Sequence, residues 1–299
     1  MMNKVAAVVV TYNRKELLKQ CIECLLAQEE VQCDVLVFDN ASTDGTGDMV
    51  KSSFDPSRVV YHNTGKNLGG AGGFELGVKM AVEAGYEYVW IMDDDTLPKR
   101  TALLNLRKAD ETLQGHWGFL SSVAYWTDGS YCQANIQKKD VLHRLKAKDY
   151  TQPLIRVLMA SFVSLLVKSS VVKELGCPIG EYFIWTDDYE FTGRIAKRYP
   201  GYVVTDSVVT HAMQVHTRVR LATATRDRID RYHYLFRNDV HCYRQHGIRG
   251  WAYVIGKDIY NVIDVIRTKN EHKKEKIMIV LNGFKDGFHF QPVIKMPKQ

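Results

Sequence analysis

A second cysteine pair to match Cys21-Ile22-Glu23-Cys24 is missing from this chain, and no nearby histidine completes a set of four zinc ligands. The six cysteines (Cys21, Cys24, Cys33, Cys132, Cys177 and Cys242) are scattered over 299 residues. Cys21 and Cys24 fall three apart on a segment with helical periodicity, so reduced core thiols are expected. A simple membrane span is also lacking: the longest apolar stretch of the C-terminal part, 251–266, is broken by Lys257, Asp258 and Asp264. Near the N-terminus only six apolar residues, 5–10, follow Met1-Met2-Asn3-Lys4, too few for a secretory signal, and a cytoplasmic protein is the expectation. There is no Gly-x-x-x-x-Gly-Lys-Ser/Thr phosphate loop, no Gly-x-Gly-x-x-Gly fingerprint abutting a strand, and no internal repeat.

What is present is an ordinary globular composition, 45% hydrophobic and 25% charged, enough for one large domain or two small ones. The net charge of +6 comes from the part beyond residue 190, where Arg194, Arg198, Arg218, Arg220, Arg226, Arg228, Arg231, Arg237 and Arg244 fall. Nucleotide phosphates, an anionic lipid surface or nucleic acid would each suit that charge. Arginines spread through mixed segments beside two acidic clusters argue against nucleic acid.

The first hundred residues alternate. A valine-rich strand over 5–10 is followed by a helix over 14–28 that Asn13 would cap, a strand over 35–38, a turn cluster at 39–46, and a strand over 59–62. A glycine run at 67–73 opens a helix through residue 84, and a strand over 88–92 ends the series. That order predicts a doubly wound α/β sheet with its sites at the carboxyl ends of the strands. Beyond Pro98 the pattern predicts a helix over 101–111 and strands over 118–123 and 157–167, with 138–150 a charged variable loop between them. A helix over 169–175, another ending near 199–201, and short apolar pieces at 203–204 and 208–209 follow. From about residue 213 the chain is arginine-rich, helical and aromatic, as an appended region would be.

The polar clusters carry the chemistry. Trp90-Ile91-Met92 runs into Asp93-Asp94-Asp95; if strand geometry continued, Asp93 and Asp95 would face one way and Asp94 the other. Unit charges about 6 Å apart repel by roughly 3 kcal/mol at an effective dielectric of 20, so a divalent cation bound by oxygen ligands, Mg²⁺ or Mn²⁺, would reverse the sign. The other reading is a solvated acidic turn. Asp39 and Asn40 end a strand, where they would either read a base edge or form an Asx-turn. Asn67 to Gly73 would approach a phosphate or sugar closely, or serve packing alone. Asp187, Asp188 and Glu190 open a helix; capping explains one acid there, and a carboxylate on a pocket floor is what a general base requires. His211 is either structural or a metal ligand.

Together, Val8-Val9-Val10-Thr11-Tyr12-Asn13-Arg14, Val37-Phe38-Asp39-Asn40-Ala41-Ser42-Thr43-Asp44-Gly45-Thr46, Asn67-Leu68-Gly69-Gly70-Ala71-Gly72-Gly73-Phe74, Asp93-Asp94-Asp95 and Asp187-Asp188-Tyr189-Glu190-Phe191 resemble the GT-A glycosyltransferases of family 2. The finer match is to the branch of galactofuranosyltransferases and rhamnosyltransferases. The resemblance implies a GT-A fold, an α/β Rossmann-like mixed sheet flanked by helices. It divides the chain into a catalytic domain over 1–215 and a C-terminal helical region over 216–299 for acceptor, membrane or subunit contact. It places a nucleotide-sugar donor on Thr11, Tyr12, Arg14, Asp39, Asn40, Asn67, Gly69, Gly70, Asp93 and Asp94, and Mn²⁺ or Mg²⁺ on Asp93, Asp95 and His211. Asp188 becomes the catalytic base, with Asp187 as the alternative.

The activity so implied is inverting, metal-dependent transfer of a sugar, galactofuranose from UDP-galactofuranose before rhamnose from dTDP-rhamnose, to a glycan or glycolipid acceptor in a bacterial capsule, O-antigen or cell wall. A peripheral contact at the inner face of the cell membrane and a homo-oligomer are the further expectations. The chain departs from the large polymerising galactofuranosyltransferases: it lacks their long N-terminal β-rich region, and Thr186 separates Trp185 from the aspartate pair. The rival readings are a sugar-phosphate nucleotidyltransferase, whose Gly-Gly-x-Gly-Thr-Arg-Leu loop is replaced here by Thr11-Tyr12-Asn13-Arg14, a non-enzymatic anion- or nucleic-acid-binding protein, and a non-catalytic partner subunit.

Overall fold

The computed structural model describes residues 4–213 and 220–298; Arg218 and the expected boundary at 215/216 lie outside them. Strand β1 (Val5–Thr11) is buried at every position, because both faces of the sheet are covered. Its Ala6, Val8 and Val10 enter one core and its Val5, Ala7 and Val9 the other, the period-two signature of a central parallel strand. Helix α1 (Lys15–Leu26) follows, then β2 (Asp34–Asp39), α2 (Thr46–Ser53), β3 (Val59–Asn63), α3 (Gly69–Glu83) and β4 (Tyr88–Asp93). Strands β3, β2, β1 and β4 lie side by side and parallel. Phe74, Val78 and Ala81 of α3 cover one face, and Leu18, Ile22 and Leu25 of α1 the other.

The second half of the sheet is mixed. It contains β5 (Thr96–Pro98), β6 (Phe119–Tyr125), β7 (Leu154–Val157), β8 (Leu165–Lys168) and β9 (Gly201–His211), with α4 (Ala102–Thr112), α5 (Ser169–Leu175) and α6 (Asp187–Ala196) between them. Antiparallel β8 joins β4 to β6, and β9 runs parallel to β6. The expected α/β mixed sheet flanked by helices is therefore what the chain forms.

Several local expectations change. The apolar run 157–167 is two strands, because β7 pairs with β9 while β8 pairs with β4 and β6; between them Ser164 takes a left-handed backbone. The pieces at 203–204 and 208–209 are one strand, whose pairing with β6 jumps from Val204 to Val208 across a bulge. The segment 138–150 is only partly a surface loop: Lys138, Val141 and Leu145 are buried, and the Lys138 ammonium donates to the Tyr243 hydroxyl at 2.9 Å. Asn13 does not cap α1. It sits at φ 53°, and its side-chain oxygen accepts the Thr43 amide at 2.7 Å, tying the β1 loop to the β2 loop.

The C-terminal part is helical as expected: after the short α7 (Arg226–Ile229), the helices α8 (Tyr232–Arg244), α9 (Gly247–Arg267) and α10 (Lys273–His289) pack around Phe236, Val265 and Val280. It is not set apart from the sheet. Beyond α10 the chain returns, so that the Cys177 amide donates to the Lys295 carbonyl at 2.9 Å and the Lys295 ammonium pairs with Glu75. Among the described residues no helix is long and apolar enough to cross a membrane.

Candidate active site

Strand β4 ends at Asp93, and Asp94 and Asp95 occupy the turn into β5. The alternation expected of a continuing strand is thus replaced by a turn, yet Asp93 and Asp95 still share a side. The short β5 pairs with the end of β9, Thr96 opposite His211, and this register delivers His211 to the aspartates. One ligand atom from each of Asp93, Asp95 and His211 lies within 4.8 Å of the others. Asp94 points to the β1 side, where its carboxylate accepts the Thr11 hydroxyl at 2.7 Å and the Arg14 guanidinium at 3.2 Å. Arg14 also reaches Asp95 at 2.8 Å.

Burial and mutual repulsion set the charge states. Burial, then the Asp95 charge, pushes Asp93 up to about 7; burial pushes Asp94 up to about 6 against the opposing pull of Arg14. Asp95 is also opposed by burial, but the hydrogen bond and charge of His211, with Arg14, hold it below the ordinary carboxylate range. His211, 6% exposed, is disfavoured as a cation by burial and nonetheless raised to about 10 by Asp95, with Cys132 and Asp93 contributing. Its Nε2 donates to Asp95 at 2.9 Å and its Nδ1 to the Asn135 side-chain oxygen at 2.7 Å.

This donor set fits a divalent cation. With Nδ1–H held by the Asn135 oxygen, Nε2 becomes a free lone pair facing two carboxylates once its proton leaves. Two carboxylate oxygens and one imidazole suit Mn²⁺, and Mg²⁺ less well because of the nitrogen. Asn135 has no sequence signal, since it lies in an irregular segment without periodicity; only its contact with His211 marks it.

The remaining residues of the expected donor site frame the same strand ends. Tyr12 is 46% exposed. Asp39 is fully buried, and its carboxylate is taken up inside the protein: it accepts the Ser42 amide at 2.9 Å and hydroxyl at 2.5 Å, and the Tyr61 hydroxyl at 2.6 Å. That is the turn-organising alternative. Asn40 likewise holds the glycine loop, donating to the Gly69 carbonyl at 3.0 Å and accepting the Leu68 amide at 3.2 Å. Asn67 accepts the Gly69 amide at 2.8 Å. Gly69 has φ 72°, and a Cβ there would stand 2.1 Å from the Phe183 carbonyl oxygen, so only glycine fits. At Gly70 a Cβ would meet nothing within 4 Å, which leaves room for a ligand.

Helix α6 begins at Asp187 with no side-chain cap. Glu190 is committed to structure, paired with Arg194 at 2.9 Å, while Arg194 also donates to the Cys177 carbonyl. Asp187 is pushed up to about 7 by burial. Asp188 is raised well above the usual carboxylate range by burial, then by the Asp187 charge, with Asp93 also contributing and Arg144 opposing. Its Oδ1 accepts the Tyr189 amide at 2.7 Å, which leaves Oδ2 for a proton.

Residues 6–113 match the family described as Glycosyl transferase family 2. Galactofuranosyltransferase GlfT1 of Mycolicibacterium smegmatis is 27% identical over 199 residues, a stretch covering 64% of this chain and 65% of that protein. The match therefore spans a little under two thirds of that relative's length. Two solved structures share the fold at low identity. S. aureus TarS 1-349 in complex with UDP has a TM-score of 0.55 at 15% identity, covering 97% of this chain and 72% of that one. The mannosyltransferase PcManGT from Pyrobaculum calidifontis, in complex with GDP-Man and Mn²⁺, has a TM-score of 0.55 at 16% identity, covering 98% and 77%. The fold is thus that of the GT-A glycosyltransferases.

Proposed function

We propose that this chain, a family 2 glycosyltransferase similar to galactofuranosyltransferases, is an inverting, metal-dependent enzyme that moves galactofuranose from UDP-galactofuranose to a lipid-linked glycan acceptor in bacterial surface polysaccharide synthesis. The observation that carries this reading is the convergence of a three-donor cation cluster with a half-buried carboxylate, Asp188, close enough for the Asp93 charge to act on it. Similarity to the galactofuranosyltransferases supports the sugar, and the UDP complex of TarS supports the nucleotide.

In this mechanism Thr11, Tyr12, Arg14, Asp39 and Asn40 frame the nucleoside end, with Asn67, Gly69 and Gly70 beside the diphosphate and Asp94 toward the ribose or sugar. Asp93, Asp95 and His211 would hold Mn²⁺ or Mg²⁺, which when bound supplies positive charge where the departing diphosphate becomes more negative. Asp188 takes the acceptor hydroxyl proton on Oδ2, and the hydroxyl oxygen attacks the anomeric carbon opposite the diphosphate. One C–O bond forms as the other breaks, and the configuration inverts. Asp187 is the alternative base. The test is donor binding and hydrolysis over UDP-galactofuranose, other UDP-sugars and dTDP-rhamnose with Mn²⁺, Mg²⁺ or EDTA. Metal-dependent selection of UDP-galactofuranose is expected; selection of dTDP-rhamnose would move the assignment to a rhamnosyltransferase, and binding of none would remove it.

For the acceptor side, we assign the outer face of α9 to an anionic bilayer surface at the inner side of the cell membrane. Ile248, Ile255, Ile259, Ile263 and Ile266 are all exposed on that face, next to exposed Met278, Leu281 and Phe288 of α10, with Arg249, Arg267, Lys269 and Lys274 exposed beside them. An isoleucine stripe edged by basic side chains suits the acyl–headgroup boundary of anionic lipid. The protein is expected to float with phosphatidylglycerol vesicles and not with phosphatidylcholine ones, and Ile255→Ser with Ile259→Ser to abolish flotation. A dimer in solution without flotation would make the face a contact between copies instead.

A further inference from the structure

The segment that delivers Asp187 and Asp188 is strained, and one buried amide from the C-terminal helices holds it. Phe183 has φ 64° and ψ −56°, and the Ile184 amide donates back to the Tyr182 carbonyl at 2.7 Å. This is a γ-turn of the rare positive-φ kind. Trp185 at φ 66° and Thr186 at φ 69° are also left-handed. Three bulky or β-branched residues in that region within four positions cost on the order of 1–3 kcal/mol each, and such a conformation persists only where its surroundings over-determine it.

Those surroundings are α8. Asn238, 0% exposed, directs its Nδ2 to the carbonyls of Tyr182, Ile184 and Trp185, each at 3.0 Å. Its side-chain oxygen is occupied by Arg237, whose Nε and Nη2 donate at 3.1 and 2.9 Å, so the amide is oriented with both N–H groups toward the turn. The Arg237 Nη2 also donates to the Glu181 carbonyl at 2.8 Å. Asp239 accepts the Thr186 hydroxyl at 2.9 Å and is itself paired with Lys257 of α9. From the other side, the Phe183 carbonyl accepts the Ala71 amide at 3.2 Å.

We infer that Asn238, oriented by Arg237, is a positioning residue for the Asp187–Asp188 pair: it holds the strained 182–186 turn and thereby aims the carboxylates that open α6. The C-terminal helices then belong to the catalytic apparatus. This rests on the proposed base in α6, and its kinetic readout rests on the proposed donor.

The test is Asn238→Ala in the full chain, read by amide hydrogen exchange and by Mn²⁺-supported hydrolysis of UDP-galactofuranose. Exchange over 183–190 is expected to rise at least about tenfold while amides of β1 and β4 stay as they were. kcat is expected to fall about 10–100-fold, the scale of a misplaced reacting group, with UDP affinity within about twofold of the original. A uniform rise in exchange, no rise at all, or a loss of UDP affinity matching the loss of kcat would overturn it. If Asn238→Ala does not fold, Arg237→Met, which leaves the amide in place but frees it to rotate, carries the same expectation at smaller size. A chain that hydrolyses no UDP-sugar would remove the proposed function, and the exchange measurement would still decide the role of Asn238.

Discussion

Replacing Asp188 with Asn is expected to reduce sugar transfer by about 10³-fold, within the range that general-base catalysis contributes, while leaving the UDP affinity measurable and little changed. The amide retains the shape of the carboxyl and can still accept the Tyr189 amide, but it has no site for the acceptor proton. Asp188 opens α6 and its side chain accepts the Tyr189 amide rather than bonding to the Thr11–Arg14 loop, so the nucleoside contacts proposed there are left in place. The pH profile follows from the same geometry. Burial and the Asp187 charge raise Asp188 above the usual carboxylate range, and a base acts only when ionised. Turnover should therefore decline as pH falls through a value higher than that of an ordinary aspartate, and this acid limb should vanish from the residual activity of Asp188→Asn. Single-turnover assays beside UDP titration separate the two effects. Retained turnover in the variant would move the base to Asp187.

Asp95→Asn should remove both the cation and the activity. Asp95 meets Arg14 and His211 at once, and losing its charge leaves one carboxylate and one imidazole for the metal. A fall in Mn²⁺ affinity of at least about 100-fold is expected, comparable to disruption of a metal site's supporting contacts, together with loss of transfer and insensitivity of the remainder to EDTA. Electron paramagnetic resonance titration of free Mn²⁺ measures the affinity directly. The pH dependence of metal binding in the unsubstituted chain has a definite sign. His211 is protonated without metal up to about 10, so binding must displace that proton, and affinity should rise about tenfold per pH unit between pH 7 and 9. Below about 7 Asp93 is protonated as well, and the slope should steepen toward two protons. A flat profile would exclude His211 as a ligand.

The parallel half of the sheet was legible because its signals are local. A strand buried on both faces must be apolar throughout, and 5–10, 35–38 and 88–92 show it within a few residues, while 59–62 forms the half-buried edge strand. The polar clusters were legible for the same reason, since each ends a strand and the carboxyl ends of parallel strands share one edge. Reading failed where partners are distant. The run 157–167 has strand chemistry throughout, and only pairing with β9 on one side and with β4 and β6 on the other divides it. The side chain of Lys138 looks solvated in a charged segment, but α8 and α9 bury it against Tyr243 and Tyr253.

By itself the sequence determined the α/β class, the family resemblance and the residue types at each strand end, because periodicity and motif are properties of neighbours along the chain. Tertiary structure decided what those residues meet. Antiparallel pairing of β5 with β9 brings His211 to Asp95 across more than a hundred residues, His211 with Arg14 holds Asp95 low while burial raises Asp93 and Asp94, and Asn238 steadies a turn that lies over fifty residues before it. None of these follows from local propensity, since each depends on which distant groups exclude water from the same place.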